Sequence, residues 1–453
     1  MSTAEEPKIG LASSVAIAVG IAIGGGLWVT PVVAGFAAGP AAAGLILLAA
    51  VPILLAFPAY FTLSKIWPVS PGHYYYPSRL LTPENKHIGQ LAGWVLVWSN
   101  FFITGFFILP SSLAGGASFL HTVFPSVSSK TFTIGLLLFT FVVVWFGLRA
   151  VGWVEVVLAV LLLVAVGIII AGGILHVQID NLTPVIPKGV SSLLSTYAIV
   201  YTLGFGALLT IDIGGEIRDA HDSVDKAVLY GVSVDIVTAA LVGIVVVGTT
   251  SYTQLEGQTL DLIAKEYLPP ALVVVSGFGA VIAGLTTILA IITVVNRYIM
   301  AAADDGILPT WVGKQNKHGE PTIMLIVIYA GAIVASISDL PLSTIVSGYV
   351  FSQLLLVILV LFVGARLPNV YPEVFEHERV KESRLISPSV VRWSSICAIL
   401  IMAVALTFLA ISSQTAFGIF LLIAVIGVVI YVVRWWQAGK TILPTLEKGG
   451  FQD

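Results

Sequence analysis

The chain contains apolar stretches that have the length of membrane-spanning helices. A bilayer core about 30 Å thick requires roughly 20 predominantly apolar residues per helical span. Twelve stretches satisfy this requirement: 11–38, 40–66, 88–120, 131–149, 150–175, 190–217, 224–250, 269–302, 321–338, 342–365, 393–412 and 415–434. With 58% apolar and 10% charged residues, the chain cannot present an ordinary water-facing surface. The sequence therefore predicts an all-α integral membrane protein embedded in a lipid bilayer.

The charges predict the orientation of these spans. If the amino terminus is cytoplasmic, 18 of the 21 lysines and arginines lie on the cytoplasmic side, and only Lys130, Lys188 and Lys265 lie outside. Basic residues concentrate on the cytoplasmic side of membrane proteins. We therefore expect a multi-pass protein of the plasma membrane with both termini in the cytoplasm. It has a tail at 1–10, one membrane domain at 11–434 and a second tail at 435–453.

The remaining composition argues against several other classes. The single cysteine, Cys397, falls inside a span, so neither an intrachain disulfide nor a cysteine metal cluster can form. All seven histidines fall in loops or at span ends, which disfavours a membrane enzyme with ligands at depth. The net charge of −3 says little about partners. We expect no nucleic-acid partner, and nothing in the sequence indicates the oligomeric state.

The first span is interrupted by the glycine-rich stretch GIAIGGGLWVTP at 20–31. Each glycine costs a helix roughly 1 kcal/mol relative to alanine. Peptide groups freed in lipid cost several kcal/mol each unless they find partners. Glycines in membrane helices also permit close packing, which is the alternative explanation. Three consecutive glycines, however, expose backbone on every side and predict a true break.

A second candidate break, Gly204-Phe205-Gly206, lies in the sixth span. The first and sixth spans hold the same position in two five-helix halves, about 11–175 and 190–365, which leaves two extra helices at about 393–434. Interrupted helices at corresponding positions mark the binding site of a transporter with inverted repeats. We therefore predict discontinuous helices 1 and 6 around a central substrate site.

A zwitterion fits such a site because the two ends of a half-helix attract opposite charges. The N–H groups of Gly24, Gly25 and Gly26 are predicted to bind a carboxylate. The ammonium is predicted to lie near Gly206 and to face backbone carbonyls, those of Ile23, Gly204 and Phe205. In the third span, Asn100 and Phe102 are predicted to reach the pocket. Since no acidic residue is placed to bind a cationic side chain, a neutral amino acid is favoured.

Four segments together resemble the amino acid–polyamine–organocation (APC) superfamily of secondary transporters, which has the LeuT fold. The resemblance rests on GIAIGGGLWVTP (20–31), PVSPGHYYYPSRLL (68–81), EIRDAHDSVDKAV (216–228) and RYIMAAADDGILPTWVGKQNKHGEPTIML (297–325). Compared with the family pattern, His73 replaces a usual glycine, Asp219-Ala220 replaces Asn-Pro and Asp304 stands where arginine is frequent. The resemblance implies a 5+5 inverted repeat and transport of amino acids, not an enzymatic activity.

The resemblance to sodium-coupled members also implies a sodium ion as coupling ion, and no other cofactor. Its ligands would be the carbonyls of Gly20, Ile23 and Ala283 and the hydroxyls of Thr286 and Thr287. Threonines in membrane helices also bond back to their own helix, which is the simpler explanation of this pair.

Two alternatives to sodium symport remain open. The first is a proton-coupled amino acid symporter or an amino acid exchanger of the same fold, and the second is a channel. A lysine of the fifth helix serves proton coupling in some members, but Leu162 aligns there. Candidate proton-binding or gating residues are Asp212, Glu216, Asp235 and Arg297, since ionisable groups at membrane depth are usually functional. Asp235 is the favoured proton-binding alternative, whereas Asp212 and Glu216 are expected to pair with Arg297 or Arg218, as a gate or as a structural ion pair.

Overall fold

The structure, a computed structural model, describes residues 8–338, 340–383 and 386–437. Most of both predicted tails lies outside these residues. The described part folds into α-helices α1 (Leu11–Ile23), α2 (Gly25–Ala38), α3 (Ala42–Ile66), α4 (Gly72–Tyr76), α5 (Lys86–Ile103), α6 (Leu109–Ser112), α7 (Ala114–Val123), α8 (Ser129–Trp145), α9 (Leu148–Ile174), α10 (Gly189–Val200), α11 (Thr202–Phe205), α12 (Ala220–Thr249), α13 (Leu260–Ala264), α14 (Pro270–Asp304), α15 (Thr322–Ala335), α16 (Leu342–Val370), α17 (Glu378–Lys381), α18 (Pro388–Ser412) and α19 (Gln414–Gln437).

Short segments of other helical types complete this architecture. A π-helix, Thr104–Ile108, joins α5 to α6, and a 3₁₀-helix, Gly206–Glu216, continues α11. The prediction of an all-helical fold is confirmed for the described residues, where β-structure is limited to two isolated bridges.

Helices occupy each of the twelve ranges that the sequence predicts as spans. Among the described residues, nine helical stretches are long and apolar enough to cross a membrane, and one of them, Leu11–Ile66, contains the first two predicted spans. Ser129–Trp145 and Thr322–Ala335 are apolar but shorter. The protein is therefore a multi-span membrane protein, whereas the number of twelve crossings and the inverted repeat stay predictions.

Helix α14 lies at the centre of the molecule. It is 35 residues long, and from Ser276 to Ala303 almost every side chain is buried. Helices α1, α2, α5, α7, α8 and α9 all pack against it. By contrast, α18 and α19, which correspond to the two predicted extra helices, expose many large apolar side chains, as expected for helices that face lipid.

Candidate functional site

The first predicted break is present at Gly24. Helix α1 ends at Ile23 and α2 begins at Gly25, while Gly24 has φ −48° and ψ −147°, outside the helical region. The backbone N–H of Gly25 donates to the Oγ1 atom of Thr287 on α14 over 2.8 Å. A Cβ atom at position 24 would collide with the same Thr287 oxygen. The break is thus fixed against the central helix, and only glycine fits there.

The sixth span differs from the predicted unwinding at Gly204-Phe205-Gly206. Helix α10 ends at Val200, and the backbone then stays helical, with φ −70° and ψ −35° at Phe205 and φ −52° and ψ −38° at Gly206. What changes at Gly206 is the helix type, from α to 3₁₀. A Cβ atom at Gly206 would lie 2.8 Å from the carbonyl oxygen of Ile21. This glycine lets the two interrupted segments approach each other closely.

A cavity of about 90 Å³ lies beside the first break. Its lining residues come from the first, third, sixth, eighth and tenth predicted spans: Ile21, Ala22, Gly25, Gly26, Val29, Thr30, Ile108, Ser111, Ser112, Leu203, Thr287, Ile291, Leu342, Val346 and Tyr349. None of these described residues carries a charge, and apolar side chains alternate with hydroxyl groups. We call this space the central cavity.

Some of the predicted substrate residues lie elsewhere. Gly25 and Gly26 line the central cavity, whereas Leu203 reaches it in place of Gly204, Phe205 and Gly206. Asn100 is buried against Thr104 and Ser352, and the ring of Phe102 packs on that of Phe106 at a centroid distance of 4.4 Å. The third span contributes Ile108, Ser111 and Ser112 instead, from the end of the π-helix Thr104–Ile108 and from α6, which follows it. No pattern in the sequence indicates this π-helix.

The residues of the predicted sodium site meet around Gly20 and Gly24. The hydroxyls of Thr286 and Thr287 donate to the carbonyl oxygen of Ala283 over 2.9 and 3.0 Å, which is the back-bonding geometry of the simpler explanation. The carbonyl oxygen of Gly20 lies 2.6 Å from the position of a Cβ atom at Gly24, next to the Thr287 hydroxyl. Ile23, the fifth predicted ligand, is fully buried at the end of α1. These oxygens are a donor set that suits a small, hard monovalent cation.

Two buried carboxylates flank the interrupted segments. Glu155 and Asp235 are both 0% exposed, and none of their carboxylate oxygens has a hydrogen-bond partner among the described residues. Glu155 on α9 lies against Gly20, and Asp235 on α12 lies near Gly204. Asp235 was a predicted proton-binding residue, whereas the position of Glu155 beside the first break could not be read from the sequence.

At the end of the molecule predicted to be cytoplasmic, Arg297 forms a buried ion-pair cluster. Its Nε and Nη2 atoms donate to the two carboxylate oxygens of Glu216 over 2.8 Å each, and its Nη1 atom donates to Glu320 over 3.1 Å. The predicted partnership of Glu216 with Arg297 is present, and Glu320 is a partner that the sequence did not indicate. We call these three residues the Arg297 clamp.

Asp212, which was expected near an arginine, has other partners. Its Oδ2 atom accepts from Tyr298 over 2.8 Å and lies 2.8 Å from the Nδ1 atom of His73, while its Oδ1 atom accepts from the His73 backbone N–H. The other ring nitrogen of His73 lies 2.9 Å from the hydroxyl of Tyr60. The residue that replaces the family's usual glycine thus supplies a buried partner for Asp212 and joins α3, α4, α14 and the 3₁₀-helix.

A third polar cluster lies nearby. Arg79 makes two hydrogen bonds of 2.6 Å to the carboxylate of Asp305, which also accepts from Tyr74. Burial acts to lower the pKa of Arg79, but its hydrogen bonds to Asp305 and the negative charge of that residue raise the pKa overall. Arg79 therefore stays charged. Asp305, which lies in the segment 297–325 that resembles the family, serves as its ion-pair partner.

Two further cavities lie beside the central one, and we name them by the predicted orientation. The inner cavity, at the end predicted to be cytoplasmic, has about 410 Å³ and is lined by Glu216, Arg297, Met300 and Asp304, among others. The outer cavity, at the end predicted to be extracellular, has about 270 Å³, contains Lys130 and shares Ser111 and Leu342 with the central cavity. On α14, the central cavity at Thr287 and the inner cavity at Arg297 are ten residues, or about 15 Å, apart. Tyr298, bonded to Asp212, and the Arg297 clamp lie towards the inner end.

Several known transporters are similar to this chain in sequence. Over 312 residues the chain is 25% identical to the methylthioribose transporter of Bacillus subtilis (strain 168), an alignment that covers 65% of this chain and 66% of that protein. Over 327 residues it is 21% identical to the branched-chain amino acid permease BcaP of the same organism, covering 68% and 69%. An uncharacterized transporter of Mycobacterium tuberculosis (strain ATCC 25618 / H37Rv) is 24% identical over 340 residues, which are 73% of each chain.

The family model described as amino acid permease matches residues 9–430, which is nearly the whole described region. Its members and the relatives above are permeases and transporters, not enzymes. The resemblance to the APC superfamily is thereby confirmed, and the chain belongs to the amino acid permease family.

Proposed function

We propose that this protein carries a neutral amino acid with an apolar side chain across the plasma membrane, by alternating access and in symport with sodium. The observation that carries the proposal is the break at Gly24. There the amino-terminal end of α2 opens on an uncharged, largely apolar cavity beside the threonine pair of α14.

The cavity supports the substrate class. A substrate carboxylate is attracted to the positive end of α2, where Gly26 lines the cavity. The Gly25 N–H already donates to Thr287, so it is less free to bind the substrate than the sequence predicted. Ile21, Ile291 and Val346 offer an apolar surface to a side chain. A branched-chain amino acid, the substrate named for one relative, fits these requirements.

The three cavities support alternating access. The central cavity shares two residues with the outer one, whereas it shares none of its lining residues with the inner one, whose wall includes Glu216 and Arg297 of the Arg297 clamp. This arrangement is that of a carrier closed at its inner end. It disfavours a channel, which needs a continuous polar pathway.

Sodium coupling is supported by the oxygens of Gly20, Ala283, Thr286 and Thr287, which lie around the break. Coupling follows if an ion at this position holds α1 and α14 in the arrangement that completes the substrate site. Proton coupling through Asp235, or exchange without a coupling ion, are the alternatives within the same fold.

Uptake by the purified protein in proteoliposomes tests this proposal. We expect leucine or valine to accumulate under an inward sodium gradient, and glutamate and arginine not to do so. A Thr286→Ala/Thr287→Ala variant should lose the sodium stimulation. Thr293→Ala is the matched control, because Thr293 is equally buried on α14 but bonds only to Leu289 away from the cavity.

The outcomes separate the alternatives. Uptake driven by an imposed pH gradient, with sodium having no effect and the double variant behaving normally, would exclude the sodium site. Uptake of methylthioribose, without uptake of any amino acid, would show that the substrate is not an amino acid. A current far above carrier rates would favour the channel.

A further inference from the structure

The side chain of Glu155 is an acidic group without any described partner in the interior of the protein. It lies on α9, its side chain is fully buried, and both carboxylate oxygens lack hydrogen bonds within the described region. The residues one turn away on α9, Val151, Gly152 and Ala159, have no polar side chain. A bare carboxylate in such surroundings costs several kcal/mol. Because of this cost, an ionisable group at membrane depth is by default a candidate functional residue.

The carboxylate faces the candidate sodium site. A Cβ atom placed on Gly20 would lie 2.6 Å from the Oε2 atom of Glu155 and 3.2 Å from the Cβ atom of Thr286. The three residues therefore meet at one point, although they belong to α9, α1 and α14. The glycine at position 20 leaves the space in which the carboxylate sits.

The candidate sodium site lacks a negative charge to balance a bound ion. The five predicted ligands of the sodium ion are all neutral oxygens, so a bound ion would leave one uncompensated positive charge in the protein interior. The Glu155 carboxylate, if ionised without a cation, would leave one uncompensated negative charge. Each of the two charges offsets the burial cost of the other, and at separations of a few ångströms their attraction in a low-dielectric interior is strong.

We propose that Glu155 supplies the negative charge of the cation site formed by Gly20, Thr286 and Thr287, and that sodium binding depends on it. This inference rests on the proposed sodium-coupled function. It adds to that function a fixed charge outside the neutral oxygen set, contributed by the fifth predicted span. The neighbouring carboxylate, Asp235, lies against Gly204 of the other interrupted segment and is not part of the site.

Direct binding of radioactive sodium to the purified protein tests this proposal without relying on transport. Glu155→Gln keeps the shape of the side chain and removes its charge. We expect it to raise the sodium Kd by about tenfold or more, since a full charge is lost beside the ion in a low-dielectric site. Asp235→Asn is the matched control, because it removes an equally buried and unpartnered carboxylate, and it should leave the sodium Kd within about twofold, as expected for a residue outside the site.

Two further measurements complete the test. The melting temperature and the elution profile of both variants show whether they are folded, and Glu155→Asp, which retains the charge, should recover part of the sodium affinity. Equal sodium affinity of the wild type and of folded Glu155→Gln would overturn the proposal, as would the absence of sodium binding to the wild type.

Failure of this proposal differs from failure of the proposed function. If sodium binds and drives uptake equally well with glutamine at position 155, only the role of Glu155 is refuted. If the wild type takes up no amino acid at all, the proposed function fails. At a sodium concentration that saturates both proteins, exchange of labelled for unlabelled substrate should persist in Glu155→Gln, which shows that the variant retains its substrate site.

Discussion

At the level of single residues, the glycines of the first span allow atoms of other helices to pack directly against the backbone. Gly20 accommodates the Glu155 carboxylate, Gly24 accommodates the Thr287 hydroxyl, and Gly25 lies against the backbone oxygen of Ser112. The sequence motif predicted that this stretch is a break. It could not predict which atoms fill the space, because those atoms come from helices more than 80 residues away in the chain.

Substituting Gly20 by alanine tests this packing. The added methyl group meets Glu155 and Thr286, so we expect a loss of about 1–3 kcal/mol, the usual cost of overpacking. Gly167→Ala on α9 is the control, because a Cβ atom there has no neighbour within 4 Å. Thermal melting in detergent should show a lower midpoint for Gly20→Ala and an equal or higher midpoint for Gly167→Ala.

The hydrogen bond from Gly25 to Thr287 gives a second prediction at this scale. Thr287→Val keeps the shape of the side chain but removes the only described acceptor of the Gly25 N–H. We expect it to destabilise the protein by about 1 kcal/mol, the net contribution of one hydrogen bond, because Gly25 is half-buried at the cavity wall. Thr287→Ser, which keeps the hydroxyl, should retain most of the stability. Equal melting temperatures for the two variants would contradict the assigned role of the hydroxyl.

At the level of elements, the two glycine-containing segments differ in form. Gly24 is a non-helical residue that separates α1 from α2, whereas the backbone at 204–206 stays helical and changes from α to 3₁₀. The sequence predicted an interruption in each span, and only the first is an open break. Local propensity alone does not decide between an open break and a 3₁₀ continuation that still satisfies the backbone.

The Arg297 clamp makes a prediction about the inner closure. It links α14 to the 3₁₀-helix through Glu216 and to the start of α15 through Glu320. Glu216→Gln weakens one side of it, so the central cavity should become accessible from the inner end more often. In a Cys397→Ser background, an Ile291→Cys probe in the central cavity should react several-fold faster with a polar maleimide added from the cytoplasmic side when Glu216→Gln is also present. Unchanged labelling would show that the clamp does not limit access.

At the level of the whole molecule, the apolar stretches predicted the helical architecture almost completely. Every predicted span contains helix, and the two carboxy-terminal helices lie at the periphery. The polar clusters were predicted only in part: Glu216 with Arg297 was expected, whereas His73 with Asp212, Arg79 with Asp305 and Glu320 were not. Hydropathy indicates which segments cross the membrane, but the pairing of buried polar groups depends on how the helices are arranged.

The orientation predicted from the basic residues can be measured in intact cells. In the Cys397→Ser background, Ser126→Cys and Lys317→Cys place single thiols in exposed loops on opposite sides of the predicted topology. A membrane-impermeant reagent should label the first and should reach the second only after the cells are opened. The reverse labelling pattern would show that the protein has the opposite orientation in the membrane. Labelling of both thiols from outside would contradict the predicted number of spans.

The length of α14 determines the depth at which the Arg297 clamp lies. Its 35 residues extend about 52 Å at 1.5 Å per residue, which exceeds the roughly 30 Å hydrocarbon layer. With Thr287 at the bilayer midplane, Arg297 lies about 15 Å below it, at the boundary with the phospholipid headgroups. In the proposed transport cycle, the guanidinium and carboxylate groups of the clamp would therefore part beside water and headgroups rather than within the hydrocarbon layer.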